Sequence, residues 1–403
     1  MKHFVLINSD KMEPIQLLAS NCSVDFTVIT KPKYACLYKE LAPVFQVSDV
    51  ADVTEASLAV LEILKTKDID GIICPLERSI LTGGYLRSHH SLPGLTYEQS
   101  LGFANKLIMK QRLNASSLPV TEFTRLDRLD DLPAVAQHLG WPIIVKPAIG
   151  SGSMNTLVIK SKDHFVDLEN LGLLKKLEEV DVPLIAERFV DIQNEYHCDS
   201  IVANEEVIFS STSQYIKPVL SSFGGMIGSY ILSDQSSKVK EINRLNKRVI
   251  EALNLREGVT HLEVYETTDN SFVVGEITCR PGGGGIVENI ERHTGISIWK
   301  AFIQIALGDY PKFDKSNKTQ LSGWVGLPSR NGLVTQLTSV EELYEIPGVD
   351  NVQMNYSLGE KINEKQTSVS YAGKIFFSLK TEEDIPTFLK NIQEKYSLEV
   401  SVG

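Results

Sequence analysis

The chain has 403 residues, 42% hydrophobic and 23% charged, an ordinary balance for a folded protein and enough length for two or three domains with their own cores. A formal net charge of -11 argues against a nucleic-acid surface, because binding a phosphate backbone needs a basic face that releases counterions. The five cysteines (Cys22, Cys36, Cys74, Cys198 and Cys279) are scattered, with no CxxC pair and no zinc-type spacing, and no apolar run approaches a membrane span, so a reducing, cytoplasmic setting is expected.

From His3 the chain alternates between strand and helix: HFVLIN, a stretch through Leu17, DFTVIT, PVFQV, a helical period from Glu55 to Lys65, and the buried strand in DGIICPLE. That alternation predicts an α/β domain on a mainly parallel sheet, over residues 1–95. TYEQSLGFANKLIMKQRLNASS then reads as one amphipathic helix, closed by Leu118 and Pro119. A further helix ends at Gly140, and IIVK opens a stretch where strands dominate: NTLVIK, LIAERFV, EYHCDSIVA, EEVIFSSTSQY, HLEVYET and SFVVGEIT, with antiparallel pairing expected. IVENIERHTGISIWKAFIQIAL follows as a helix. Past the polar linker GDYPKFDKSNKTQ, the segments GWVGLP, GLVTQL, YAGKIFFSL, a terminal helix and LEVSVG predict a small α/β tail over 311–403.

Three stretches carry chemistry. In IVKPAIGSGSMNTLVI, Lys146 ends a strand and Gly150, Ser151, Gly152 and Ser153 follow as a loop, so an ammonium and several backbone N–H groups share one side of a turn, as phosphate oxygens require. Neither GxxxxGK[ST] nor a complete dinucleotide fingerprint is present, and taken alone the stretch reads first as a flexible hairpin loop. Upstream, Lys106 sits on a helix; downstream, LIAERFV leads to Glu195 and Tyr196. The strongest signal is HLEVYETTDNSFVVGEITCRPGGGG, where Glu263 and Glu276 lie in two apolar strands joined by a hairpin around Asp269 and Asn270. Facing carboxylates repel unless a cation lies between them, and oxygen ligands of this kind suit Mg²⁺ carrying nucleotide phosphates. Arg280 follows, ahead of Pro281 and four glycines.

These stretches, in this order over about residues 1–310, resemble the ATP-grasp superfamily of carboxylate–amine ligases, most of all the bacterial L-amino acid ligases that form dipeptides. The resemblance implies an ATP-grasp fold of mixed α/β and α+β character: an N-terminal pre-ATP-grasp domain over 1–95, an ATP-grasp domain over 96–310 with its nucleotide subdomain at about 120–190, and a small C-terminal α/β subdomain. It implies ATP and Mg²⁺ as cofactors, with Mn²⁺ an acceptable substitute. Lys106 and Lys146 match the phosphate-contacting lysines, and Gly150 to Ser153 match the loop that closes over the phosphates. Glu187, Arg188 and Val190 match the adenine hinge, and Glu195 the ribose acceptor. Glu263 and Glu276 match the metal-bridging carboxylates, while Thr278 stands where many relatives carry a metal-completing asparagine. Arg280 matches the arginine that steadies the acyl phosphate. Met154 and Asn155 depart from the small residue and glycine that relatives often keep after the loop.

The partners implied are small molecules, amino acids, with no nucleic acid or membrane, and a homodimer is allowed. The expected reaction activates one amino acid as an acyl phosphate and joins it to the amine of another. Loading an amino acid on a carrier protein, or acting on a purine-type carboxylate, are rival ligase readings, and a non-catalytic ATP sensor is the reading of another class. For the substrate pocket, Lys217, Gly224 and Gly225 in SQYIKPVLSSFGGMIGSYIL are candidates, as are Glu77, Glu288 and His293.

Overall fold

The computed structural model describes residues 1–222, 224–314, 320–363 and 370–401; residues 315–319 of the expected linker and the last two residues of LEVSVG lie outside them. The N-terminal sheet is parallel, in the order Val44–Gln46, Val24–Thr30, Lys2–Ile7, Gly71–Ile73. Its central strands are apolar runs because both faces are covered. Val5, Ile7 and Ile29 pack under the helix Val53–Leu64 on one face, and Phe4, Leu6 and Val28 meet Ile303 and Leu307 on the other. Ile303 belongs to the helix Ile298–Ala306, so a helix from far along the chain closes this first core.

Two stretches expected as single helices are each broken in two. The first runs as Tyr97–Ala104 and Lys106–Ala115, because Asn105 adopts extended backbone and its side chain accepts from the N–H groups of Leu107 and Ile108. The break makes Lys106 the first residue of a helix. The second runs as Ile286–Thr294 and Ile298–Ala306, ended between them by Gly295 at φ 75°.

Four antiparallel strands, in the order Phe123–Leu126, Leu184–Arg188, Ile143–Pro147, Leu157–Ile159, make a small sheet with its own core around Leu132, Val145 and Ala186. The large sheet has eight strands, in the order Phe272–Thr278, Gly258–Thr267, Ile192–Ala203, Glu206–Tyr215, Ile227–Ile231, Leu321–Pro328, Tyr371–Leu379, Val349–Met354. Its last three strands come from the expected C-terminal tail. The strand Ile227–Ile231 is wholly buried, so an open edge there would leave backbone donors and acceptors unpaired, and Leu321–Pro328 supplies the partner. Of the tail's described strands, Lys361–Ile362, Gly332–Leu337 and Leu398–Ser401 form a sheet of their own. The large sheet therefore crosses the chain boundary placed at residue 310. Among the described residues no helix is long and apolar enough to cross a membrane.

One contact binds the tail strand to the glycine run. Trp324, 1% exposed, lies under Gly284 and Gly285, where an added Cβ would come within 2.5 and 2.6 Å of the indole. Gly284 also sits at φ +64°. Gly284→Ala should therefore lose about 1–3 kcal/mol of stability, through overpacking and a left-handed backbone. Urea denaturation checks this; an unchanged midpoint would contradict the packing described.

Candidate active site

A cavity of about 500 Å³ opens where the two antiparallel sheets and the N-terminal domain meet. Lys106, Lys146, Gly150, Ser151, Gly152, Ser153, Glu187, Arg188, Val190, Glu195, Glu263, Glu276, Thr278 and Arg280 all line it. The substrate candidates divide. Glu77 lines the cavity, whereas Lys217, Gly224, Gly225, Glu288 and His293 do not; from the segment 213–232 the lining comes from Tyr215, Val219, Leu220 and Ile227. Glu288 is turned instead toward Lys374 and Gln353, and His293 toward Ser322.

The carboxylate wall follows from strand alternation. Glu263 and Glu276 are register partners across the hairpin, each side chain about a quarter exposed (26% and 27%) toward the cavity. A bulge follows directly: Val264 pairs with Val274, leaving Gly275 as the extra residue, and an added Cβ there would lie 2.5 Å from the Tyr265 ring. On the neighbouring strand Glu195, His197 and Asp199 alternate toward the same face, opposite Tyr265, Glu263 and His261 respectively.

These side chains form a buried chain of hydrogen bonds. His261 Nδ1 lies 3.0 Å from Asp199 Oδ1, and His197 Nδ1 lies 2.6 Å from Asp199 Oδ2. His197 Nε2 meets Ser229 Oγ at 2.8 Å, and Ser229 Oγ accepts from Trp324 Nε1 at 3.0 Å. His261 Nε2 lies 3.7 Å from Glu263 Oε1. Burial works against the His261 proton, but Asp199 and Glu263 outweigh it and push its pKa to about 10; burial pulls the His197 pKa down. One proton arrangement satisfies both: His261 is an imidazolium donating to Asp199, and His197 is neutral, donating from Nδ1 and accepting from Ser229. His197, Asp199 and His261 group their ligand atoms within 4.8 Å and are joined to one another by these hydrogen bonds.

The cations stand opposite. Lys106 Nζ lies 2.8 Å from Glu276 Oε1 and donates to the Gly150 carbonyl at 2.7 Å, tying the glycine loop to the carboxylate wall. Lys146 Nζ lies 2.9 Å from Glu187 Oε1. Burial would raise the Glu187 carboxyl, but Lys110 and Lys146 outweigh it and hold its pKa at about 2. Arg280 Nη2 donates to Glu77 Oε2 at 2.7 Å, across from the N-terminal domain, and Nη1 donates to the Pro281 carbonyl at 2.9 Å. The glycine loop itself turns through left-handed backbone at Gly152, Ser153 and Asn155 (φ 65°, 54° and 55°). Thr278 Oγ1 is buried and has no hydrogen-bond partner among the described residues.

Sequence reading missed His197, Asp199, His261, Tyr265, Lys110 and Trp324. For the first four a signal was present: EYHCDS and HLEVY each place polar or aromatic residues at every second position of an otherwise apolar strand, which marks one shared face.

Comparison with known proteins bears on the family and the fold. The ATP-grasp domain family matches residues 111–294. The "L-arginine-specific L-amino acid ligase" of Bacillus subtilis is 38% identical over 407 aligned positions, covering 100% of this chain and 98% of that protein. In fold, the crystal structure of an L-amino acid ligase from Bacillus licheniformis matches with a TM-score of 0.78 at 17% identity, covering 100% of this chain and 99% of the other. A carboxyaminoimidazole ribonucleotide synthase from Aspergillus clavatus, complexed with ATP, matches with a TM-score of 0.74 at 16% identity over 98% of this chain and 97% of its own. At those identities the structural matches speak for the fold alone.

Glu195 yields a pH prediction. It is 3% exposed and accepts from the Val219 N–H at 2.8 Å, and burial, with Glu263 nearby, raises its pKa from 4.5 to about 8. Between those values the folded protein keeps a proton that the unfolded chain has released, so stability falls as pH rises through the window. Glu195→Gln mimics the protonated form and removes this dependence. In metal-free protein the variant should gain stability over wild type by on the order of a few kcal/mol at pH 8, shrinking toward zero near pH 5. Thermal unfolding across that range measures it, and a pH-independent difference would contradict it.

Proposed function

Since the chain belongs to the ATP-grasp superfamily and, within it, to the L-amino acid ligases, we propose that the cavity activates the carboxylate of one amino acid with ATP and joins it to the amine of another, releasing ADP and phosphate. The observation that carries this is the convergence of Glu263 and Glu276, opposed in register, with Lys106, Lys146 and Arg280 on one cavity.

The residues present fit a magnesium ion. Glu263 and Glu276 are hard oxygen donors partly open to the cavity, and the orphaned Thr278 hydroxyl is a third oxygen beside them in sequence and strand face. Mg²⁺ or Mn²⁺ bound there would offset charge on the phosphate oxygens. Lys106 and Lys146 supply positive charge to the same phosphates, where catalysis is mostly positioning and electrostatics. Glu187, Arg188 and Val190 form the adenine hinge, and Glu195 takes the ribose hydroxyls. The loop Gly150 to Ser153, held to Lys106 at the Gly150 carbonyl, is placed to exclude water from an acyl phosphate that would otherwise hydrolyse. Arg280, fixed by Glu77, steadies the negative charge that develops as the amine attacks. A guanidinium fixed in this way serves turnover and has no part in merely sensing ATP.

The activated amino acid carries a cationic side chain in this reading. Asp10, Glu13 and Glu77 line the N-terminal side of the cavity together with Tyr34 and Trp299, so a guanidinium would find both charge and aromatic faces. The arginine specificity named for the Bacillus subtilis relative supports the same choice.

Phosphate release from ATP, followed over a panel of single and paired amino acids with mass spectrometry of the products, tests the proposal. Release should require an amino acid, be greatest with arginine, yield a dipeptide, stop with EDTA and return with Mg²⁺. No amino-acid-dependent release would sink it. Glu276→Gln and Arg280→Ala should each lower kcat by about 100-fold or more, on the scale of a lost oxyanion donor at about 3 kcal/mol, with circular dichroism unchanged. Near-wild-type turnover in either would show the assignment of that residue to be wrong.

A further inference from the structure

Lys110 lies one helical turn beyond Lys106, yet its side chain is 0% exposed and it is absent from the cavity lining. A buried ammonium is costly unless paired, and an apolar side chain of similar length would fill the position at lower cost to the fold. Its partners are specific. Lys110 Nζ donates to Thr121 Oγ1 at 2.8 Å and lies 3.4 Å from Glu187 Oε2. Thr121 in turn donates its hydroxyl proton to Glu187 Oε2 at 2.8 Å. The other oxygen of Glu187 faces Lys146 at 2.9 Å.

One carboxylate thus stands between two ammonium groups. Alone with Glu187, Lys146 would belong to a neutral pair, a poor attractor of phosphate. Lys110 supplies the second positive charge, so the trio keeps a net charge of about +1 on the side where Lys146 meets the cavity. We propose that Lys110 is a positioning residue for nucleotide: from behind the site it neutralises Glu187 and holds its Oε2, leaving the charge of Lys146 free for the phosphates. The proposal rests on the ATP-site reading above and adds to it a residue that never touches substrate.

The test uses Lys110→Met, Glu187→Gln and the double variant, with ATP binding by calorimetry in the presence of Mg²⁺ and the KM values for ATP and for amino acid. Lys110→Met should weaken ATP by about tenfold or more while the amino-acid KM stays within about twofold. The double variant restores the net charge and should recover part of that loss, the remainder being the hinge side chain that Glu187→Gln alters. A merely structural lysine would lower Tm without this KM split and without the recovery. Should Lys110→Met fail to fold, the comparison of Glu187→Gln with the double variant carries the test, since neither leaves a buried carboxylate unpaired; the double variant should bind ATP about fivefold more weakly or worse. Equal ATP affinity in that comparison, or a folded Lys110→Met with wild-type ATP affinity, overturns the proposal. Wild-type protein that binds no ATP at all would overturn the ATP-site reading itself, and the proposal with it.

Discussion

Glu77, Glu187, Glu195, Glu263 and Glu276 share one cleft, and their mutual repulsion is the constraint that the surrounding structure answers. Four of the five have a cation against them: Arg280 on Glu77, Lys146 and Lys110 on Glu187, His261 beside Glu263, and Lys106 on Glu276. The fifth, Glu195, is answered by retaining its proton well above the usual carboxylate range. A site arranged in this way holds strong charges of both signs in fixed positions before any ligand arrives. That is the preorganisation that phosphoryl and acyl transfer require.

The same pairings explain why the parts of the fold sit together. Glu263 and Glu276 come from the large sheet, Lys146 and Glu187 from the small one, Lys106 from a helix set by the break at Asn105, and Glu77 from the first residue of the N-terminal helix Glu77–His89. Lys106–Glu276 and Arg280–Glu77 therefore each fasten two separate elements across the cleft. The tail contributes too: its strand Leu321–Pro328 completes the large sheet, and Trp324 supports the glycines after Arg280 while ending the hydrogen-bond chain that begins at His261. In the proposed reaction, catalysis and tertiary structure draw on the same side chains.

How much of this could be read in the chain depends on how local each feature is. Glu263 and Glu276 were legible because a charge inside an apolar strand is conspicuous and a short hairpin fixes their pairing. Lys146 and its loop gained meaning from their order relative to those strands. Glu77 and Arg280 are 203 residues apart, and no local pattern predicts that they meet. Lys110 reads as the solvated face of an amphipathic helix; only the packing of Thr121 and Glu187 against it reveals a buried charge. The two broken helices escaped for a similar reason, since Asn105 and Gly295 are tolerable inside a helix unless tertiary contacts favour the cap. That strands of the tail extend the large sheet was not legible, because edge pairing depends on which strand is left open, a property of the assembled sheet.

What distinguishes carboxylate activation from every other use of ATP is the path of one oxygen atom. An amino acid labelled with the heavy oxygen isotope in its carboxylate, turned over with ATP, Mg²⁺ and a second amino acid, should transfer one labelled oxygen to the released phosphate while ADP and dipeptide accumulate. Phosphate free of the label, or AMP and pyrophosphate in place of ADP and phosphate, would contradict activation through an acyl phosphate.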